Sequence, residues 1–429
     1  MLAGRISHIP EYKNQVPTPK STQVSLPESF AGNSEQSNNQ ELYFTALQNY
    51  NLARLSFTGV IKNSNTITGS AIGVIRSKDN NYRAHLAKCI DCRPENLSSI
   101  VGLHELNYVL GQLKPEQYNP HSSAFAVNLH SHTINSDGKL TVEELLNKMA
   151  HFANTKATTH PVYFSITNHN DLSGIYEMLN IISEKPETYK NLRIIPGIEF
   201  DTVYNNPDYF DRPVKLDIVA HGIDPYDTEF VKFVDDIAKN HRLFGEKYFK
   251  DLEQLGIYYS KEKKDEICNL SMSGGSEHFI GEVKRLVIED LHQQIAQKPA
   301  LKQQVNNVFN RYKEDQPVIP LGTLVKSFNN YQGQCGLAHP GKIDVRASLK
   351  DGKTPEEAIS TLVKFFKSAG GAMGESYYQY PDSHYKKEQN KYHYNIENWL
   401  KFIDRLIEDN GLVKSGGIDN HGKSIYGRH

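Results

Sequence analysis

The pattern of apolar and polar positions divides the chain into stretches of different character. Residues 1–40 are rich in Ser, Asn, Gln and Pro and carry no helical or strand period, which predicts a disordered or loosely docked tail. From Glu41 the pattern tightens. Glu41–Asn51 predicts a short helix. The β-rich runs Leu55–Lys62 and Thr66–Arg76, joined by Asn63-Ser64-Asn65, predict a hairpin, and Pro94–Leu113 predicts another helix. Residues 41–120 therefore read as a small N-terminal α/β unit. Beyond Ala124, short apolar runs alternate with helical stretches. Strands are expected at Ala124–Leu129, Val162–Ile166, Arg193–Ile198, Leu216–Ala220, Gln334–Ala338 and Ala372–Ser376. A helix is expected at Thr141–Phe152, opened by Thr141 as its cap. This alternation argues a parallel sheet or barrel spanning 121–226 and 326–429. Residues 227–325 break the rhythm. They are charged and helical in period (Glu229–Leu255, Gly281–Gln297, Leu301–Tyr312) and read as a helical cap inserted over the barrel mouth.

Composition narrows the function classes. No window approaches 18 apolar residues, so a membrane-spanning helix is excluded and no membrane partner is expected. The N-terminus lacks the apolar core of a cleavable signal peptide, so a cytoplasmic location is expected. With 48 basic against 50 acidic residues, the chain lacks the excess positive charge of a protein built around a nucleic-acid backbone. Four cysteines make no disulfide framework. Cys89 and Cys92 form a C-x-x-C with His85 four residues earlier. No second pair follows at zinc spacing, even counting His104, so they read as ordinary thiols. Cys268 and Cys335 read as structural. The Tyr-rich run 377–394 reads as a surface loop and helix start rather than a base-stacking platform.

The odd quantity is 18 histidines, and many of them sit where strands end. His130 and His132 lie two apart at the end of a strand, so period-2 geometry puts both imidazoles on one face as a chelate for a first-row metal. Asp137 follows in a Ser-Asp-Gly turn that can return a carboxylate to the same mouth. Thr167-Asn168-His169 ends the next strand. Glu199, in Pro196-Gly197-Ile198-Glu199, is a carboxylate among apolar neighbours, a costly place unless it is paired. Asp217 and His221 flank an apolar strand, and His339 and the pair Asp419 and His421 end two more. Six such strand ends are difficult to explain as ordinary polar residues of a core.

The ordered set H-x-H-x-x-x-S-D-G, T-x-H, P-G-I-E, A-H-P and D-x-H resembles the polymerase-and-histidinol-phosphatase (PHP) family of metal-dependent phosphoesterases over about residues 125–429. Gly222-Ile223-Asp224-Pro225, residues 308–312 and residues 411–416 are similar to its branch acting on nucleotides and short oligonucleotides. The resemblance implies a distorted (β/α)7 barrel of PHP type, with two or three divalent ions (Mn, Fe or Zn) in its mouth. It implies a first ion on His130, His132, Glu199 and Asp419, and a second shared by Glu199 and His339. A third would rest on Asp137, His169 and His421. The hydrolytic hydroxide would be held on metal by Glu199, Asp419 and His339.

The chain also departs from that pattern. Asn168 replaces an Asp, and Ile418 and Asn420 stand where Ser and Phe are common. Either Asp217 or His221 completes the second ion, with His221 slightly favoured. Ser276-Glu277-His278 lacks the usual Arg of the cap, which leaves His278, Arg242 or His241 as candidate phosphate contacts. The expectation is hydrolysis of a phosphomonoester on a nucleotide or another small phosphorylated metabolite. The alternatives are a 5′→3′ exonuclease on short oligonucleotides and a barrel that has lost turnover and serves as a regulatory module.

Overall fold

Runs of three or four apolar residues are too short to stand alone as strands, so they gain stability only by pairing and by burial on both faces. A computed structural model describes residues 69–112, 126–155, 162–272, 279–313, 316–328, 330–376 and 395–422. Apart from Gly69 they fall in one compact unit, Ser70–His429. Strands β1 (Ala126–Asn128), β2 (Val162–Phe164) and β3 (Leu192–Ile194) pair in parallel, with Val127 beside Tyr163 and Tyr163 beside Arg193. The other six are β4 (Gly197–Tyr204), β5 (Val214–His221), β6 (Ile319–Pro320), β7 (Gln334–Leu337), β8 (Met373–Glu375) and β9 (Val413–Ser415). They form a second sheet in the order β6-β4-β5-β7-β8-β9. Two isolated bridges, Ser131 to Asn420 and His169 to Glu199, join the sheets, the first beyond the ends of β1 and β9 and the second between the loop after β2 and β4 itself.

The helices cover these sheets through one apolar stripe each. In α1 (Gly69–Cys89), Tyr82, Leu86 and Ala87 are buried, and Tyr82 donates its hydroxyl to the Ile223 carbonyl at 2.5 Å. Helices α2 (Leu103–Gln112), α3 (Val142–Thr155), α4 (Ser173–Glu184) and the single turn α5 (Pro186–Tyr189) follow. Helix α3 buries Val142, Leu145, Leu146, Met149 and Ala150, a spacing of three and four that makes a continuous apolar face. A long helix α6 (Thr228–Glu253) starts on Asp227, whose carboxylate caps the Phe230 amide. With α7 (Lys261–Met272), α8 (Phe279–Asp290), α9 (His292–Gln297) and α10 (Ala300–Tyr312) it encloses a separate apolar cluster around Tyr248, Phe249, Phe279 and Val283. After α11 (Leu321–Ser327) come α12 (Pro355–Ser368), with a reciprocal Thr354–Glu357 capping box, and α13 (Ile396–Asp409). Among the described residues, no helix is long and apolar enough to cross a membrane.

Several expectations need correction. The described part of Thr66–Arg76 is helical, because it opens α1, whose buried positions continue a helical period that overrides local β preference. Pro94–Leu113 is not one helix. It breaks into a turn at Pro94–Leu97 and helix α2, because Ile100 pairs with Ile194 on the edge of β3. Arg193–Ile198 divides into β3 and β4 at Pro196, which has no amide to donate. The second sheet is not uniformly parallel. β5 runs antiparallel to both β4 and β7, and the nine residues between β4 and β5 are too few for a crossover helix. Glu41–Asn51, Leu55–Lys62, His278, the Tyr-rich run and the C-terminal residues 423–429 lie outside the described residues.

Candidate metal centre

The loops that leave β1, β2, β7 and β9 converge on one face of β4. His130 and His132 emerge from β1 with both rings fully buried and their Nε2 atoms 3.1 Å apart. Glu199 projects from β4 between them. Its Oε2 lies 3.0 Å from His130 Nε2, 3.1 Å from His132 Nε2 and 3.4 Å from His169 Nε2. Asp419, after β9, closes the group with Oδ1 at 3.5 and 3.2 Å from the same two imidazoles. These four residues offer donor atoms all within 4.8 Å of one another. Two further groups adjoin: Glu199 with Asp217 and His339, and His132 with Asp137 and His169. His421 joins the last through Asp137 at 2.8 Å, and its ring stacks on His132 with centroids 4.5 Å apart.

The donor set is electrostatically incomplete as protein alone. Glu375, at the end of β8, accepts only, so its Oε1 at 3.0 Å from His130 Nδ1 puts the proton on that nitrogen. In a neutral ring, Nε2 then aims a lone pair at His132 Nε2. Among the described residues, neither buried oxygen of Glu199 receives a well-directed hydrogen bond, close as the imidazoles are. Without an ion, protons must fill the gap. Burial opposes charge on His130, yet Glu199, Glu375 and Asp419 raise its pKa well above the ordinary value. His132 is likewise raised to about 9 against its burial, by Asp419 and Glu199. Burial works against ionisation of Glu199 and Asp419 too, but the neighbouring imidazoles, led by His130 and joined at Asp419 by Lys342, hold both carboxyls well below the usual range. A divalent ion answers the same demand without those protons. Two nitrogens about 2.1 Å from one ion are separated by roughly 3 Å, so the His130–His132 spacing fits a chelate.

Second partners fix the ligand orientations. Glu375 Oε2 accepts the His339 backbone amide at 2.7 Å, so one carboxylate positions two candidate ligands. Burial, then Lys342, lowers His339 to about 3, leaving a neutral imidazole. Gly417 is required by close approach, since a Cβ there would meet His130 Cβ at 2.3 Å and Glu375 Oε1 at 2.8 Å. Asn170, His339 and Asp419 have φ of 50°, 27° and 50°, so three of the four non-glycine residues with positive φ among the described residues stand at this mouth. Strain of this kind persists only where surrounding structure over-determines it.

The structure brings together His130, His132, Asp137, His169, Glu199, Asp217, His339, Asp419 and His421. It does not bring His221. Because β5 is antiparallel, Asp217 pairs opposite Asp201 above Glu199, while His221 pairs opposite Gly197 below it. The His221 ring instead donates Nε2–H to the Leu129 carbonyl at 2.8 Å, and burial lowers its pKa to about 4. Arg242 lines a cavity of about 360 Å³ beside His169, along with Tyr176, Val234, His241 and Met272, and donates to Asn269 at 2.9 Å. Asn168 accepts from the Thr133 amide at 2.9 Å and donates to its hydroxyl at 2.9 Å, a pair of roles no carboxylate fills. Cys89 is exposed, 3.8 Å from His85 Nε2, which itself pairs with Asp224 at 2.8 Å. Neither cysteine joins a metal-holding group among the described residues.

Sequence reasoning missed Glu375, Asp201 and Lys342. Asp201 sits two residues past Glu199 with Oδ2 3.7 Å from His169 Nδ1, and Lys342 contacts Asp419 at 2.8 Å. Glu375 carried a usable signal, since a Glu closing the apolar run Ala372–Glu375 is as costly as Glu199. The fold and site thus define a mixed α/β protein with a buried His/carboxylate cluster able to hold metal.

No protein-family model matches the chain, and no curated protein matches it. Among solved structures, it is similar to a protein provisionally described as a metal-dependent phosphoesterase from Bifidobacterium adolescentis. The identity is 16% and the TM-score 0.42, covering 69% of this chain and 88% of that one. It is also similar to an amidohydrolase from Chromobacterium violaceum, solved with sulfate and no metal. There the identity is 19% and the TM-score 0.42, covering 71% of this chain and 90% of that one.

Proposed function

We propose that the chain is a multinuclear metal-dependent phosphoesterase that hydrolyses a phosphomonoester of a nucleotide or another small phosphorylated metabolite. The observation that carries this reading is the convergence of His130, His132, Glu199 and Asp419, with donor atoms within 4.8 Å, flanked by two groups that reuse Glu199 and His132. In this reading the first ion rests on those four, the second on Glu199, Asp217 and His339, and the third on Asp137, His169 and His421. Mn, Fe and Zn all suit such mixed ligation. The barrel reading of the fold is supported by the bridges Ser131–Asn420 and His169–Glu199, which link the edges of the two sheets around the mouth. Bound divalent ions offset the charge of a phosphate ester and lower the pKa of water at its side. The chain's own residues hold the ions apart at fixed places, keep His339 neutral and exclude bulk water from Glu199. The cavity of about 360 Å³ beside His169 and Arg242 has room for one small leaving group.

Two measurements test this. Metal analysis of purified protein should find two or three Mn, Fe or Zn per chain. A phosphate-release screen over mononucleotides, bisphosphates and short oligonucleotides should find a monoester substrate, with release abolished in His130→Ala. A protein without affinity for these metals, or one fully loaded and inert across the screen, refutes the reading.

A further inference from the structure

Asp419 uses its two oxygens differently. Oδ1 faces His130 and His132, while Oδ2 accepts from the Lys342 ammonium at 2.8 Å. Lys342 ends the short turn Pro340–Lys342 that follows His339. The turn is held from behind by Trp399 Nε1, which donates to the Gly341 carbonyl at 3.1 Å, and the Lys342 amide donates to the His339 carbonyl at 2.8 Å. The ammonium is therefore tied by backbone to a candidate ligand and by side chain to another. Its side chain keeps 25% exposure and lines the same cavity of about 400 Å³ as Glu199, Asp217 and His339. The other lysine lining that cavity, Lys215, is exposed, where solvent screens its charge.

We propose that Lys342 is a substrate contact, the cation that meets the phosphate oxyanion, and that Asp419 holds it in place until metal loads the site. This rests on the phosphoesterase reading above. A cation at Asp419 Oδ1 withdraws charge from Oδ2 and loosens its hold on the ammonium. A lysine suits such a handover, being a compact charge on a flexible four-carbon stem. Metal loading and oxyanion binding are then coupled through one carboxylate.

The probe is inorganic phosphate, titrated calorimetrically into full-length wild type, Lys342→Gln and Lys342→Arg, each metal-loaded and metal-free, with metal content measured for every sample. In the loaded form, Lys342→Gln should retain its metal and bind phosphate at least about ten-fold more weakly, as loss of a charge-assisted hydrogen bond implies. Lys342→Arg should recover most of the affinity. In the metal-free form, wild type and Lys342→Gln should bind phosphate alike, because Asp419 then occupies the ammonium. Loaded Lys342→Gln binding within two-fold of wild type overturns the contact while leaving the phosphoesterase reading intact. A Lys342→Gln protein that loses metal together with phosphate also overturns it, showing that Lys342 only positions Asp419. Equal weakening with and without metal overturns the handover. Loaded wild type that binds no phosphate and releases none removes both the proposal and the reading beneath it.

Discussion

Glu375→Gln is the most direct probe of how the cluster is organised. Glu375 is buried and serves two donors at once, the His130 ring at 3.0 Å and the His339 amide at 2.7 Å. Glutamine keeps the shape but has one acceptor oxygen and one amino group. If its oxygen takes the His339 amide, the amino group faces a protonated His130 Nδ1, and the ring must turn or exchange tautomer. Either response withdraws Nε2 from the point where Glu199 and Asp419 converge. Losing a hydrogen bond to a charged partner costs about 1.5–3 kcal/mol, which corresponds to roughly ten- to hundred-fold in affinity. That agrees with the usual range for partners that orient metal ligands. Calorimetric titration of metal-free protein with Mn or Co should show the tightest binding step weakened by that factor, with the circular dichroism of the protein unchanged. A Glu375→Gln protein that binds metal within three-fold of wild type would falsify the claim that this carboxylate fixes His130 and His339.

Three other outcomes follow from the same geometry. Gly417→Ala drives a Cβ into His130 and Glu375, so the purified protein should remain folded but lose bound metal; a full complement refutes the close-approach argument. Asp217→Asn should remove one metal equivalent per chain, whereas His221→Gln should remove none, and elemental analysis of both separates the two candidates. His221 also gives a pH test. Its folded pKa of about 4 lies below the ordinary 6.5, so its contribution is present above pH 6.5 and lost as pH falls through 4. Denaturant titrations should show wild type losing on the order of 3 kcal/mol over that window from this group. His221→Gln, which can still donate to Leu129, should show a flatter acid limb; an identical limb refutes the assignment.

The sequence was most legible where a single residue type could not be explained locally. Paired imidazoles after an apolar run and a carboxylate inside Gly197-Ile198-Glu199-Phe200 are costly unless they meet, and they do meet. What it concealed was direction. Leu216–Ala220 is recognisable as a strand, but nothing in its apolar pattern states whether it runs up or down the sheet. The register of β5 then decides whether Asp217 or His221 stands beside Glu199. The helix at Gly69–Cys89 was hidden for a related reason, since its packing against Ile223 is a contact across 141 residues that no local preference encodes. Lys342 was harder still, because nothing near it in sequence signals its partner Asp419, which comes from another strand's end.

The place of the cluster within the fold gives it a second consequence. His130, His132 and His169 hang from the three-stranded sheet, while Glu199, Asp217, His339 and Asp419 belong to the six-stranded one. The described pairings between the sheets at this end are single bridges, Ser131–Asn420 and His169–Glu199, in place of a full ladder. Each bridge carries two backbone hydrogen bonds, and the Leu129 amide adds one more to the Gly416 carbonyl, each worth only about 1 kcal/mol net. The donors therefore sit on the seam itself, and an ion shared by His130 and Glu199 would bind one sheet to the other. Binding free energy at such a place is also folding free energy, because the unfolded chain offers no assembled site. The strained φ of His339 and Asp419 belongs to the same account: backbone on one side of the seam is held out of its preferred region so that side chains can reach across. If the cluster holds metal as proposed, the metal centre and the closure of the sheets are one structural problem, and the same buried charge that would bind the ion would make the seam depend on it.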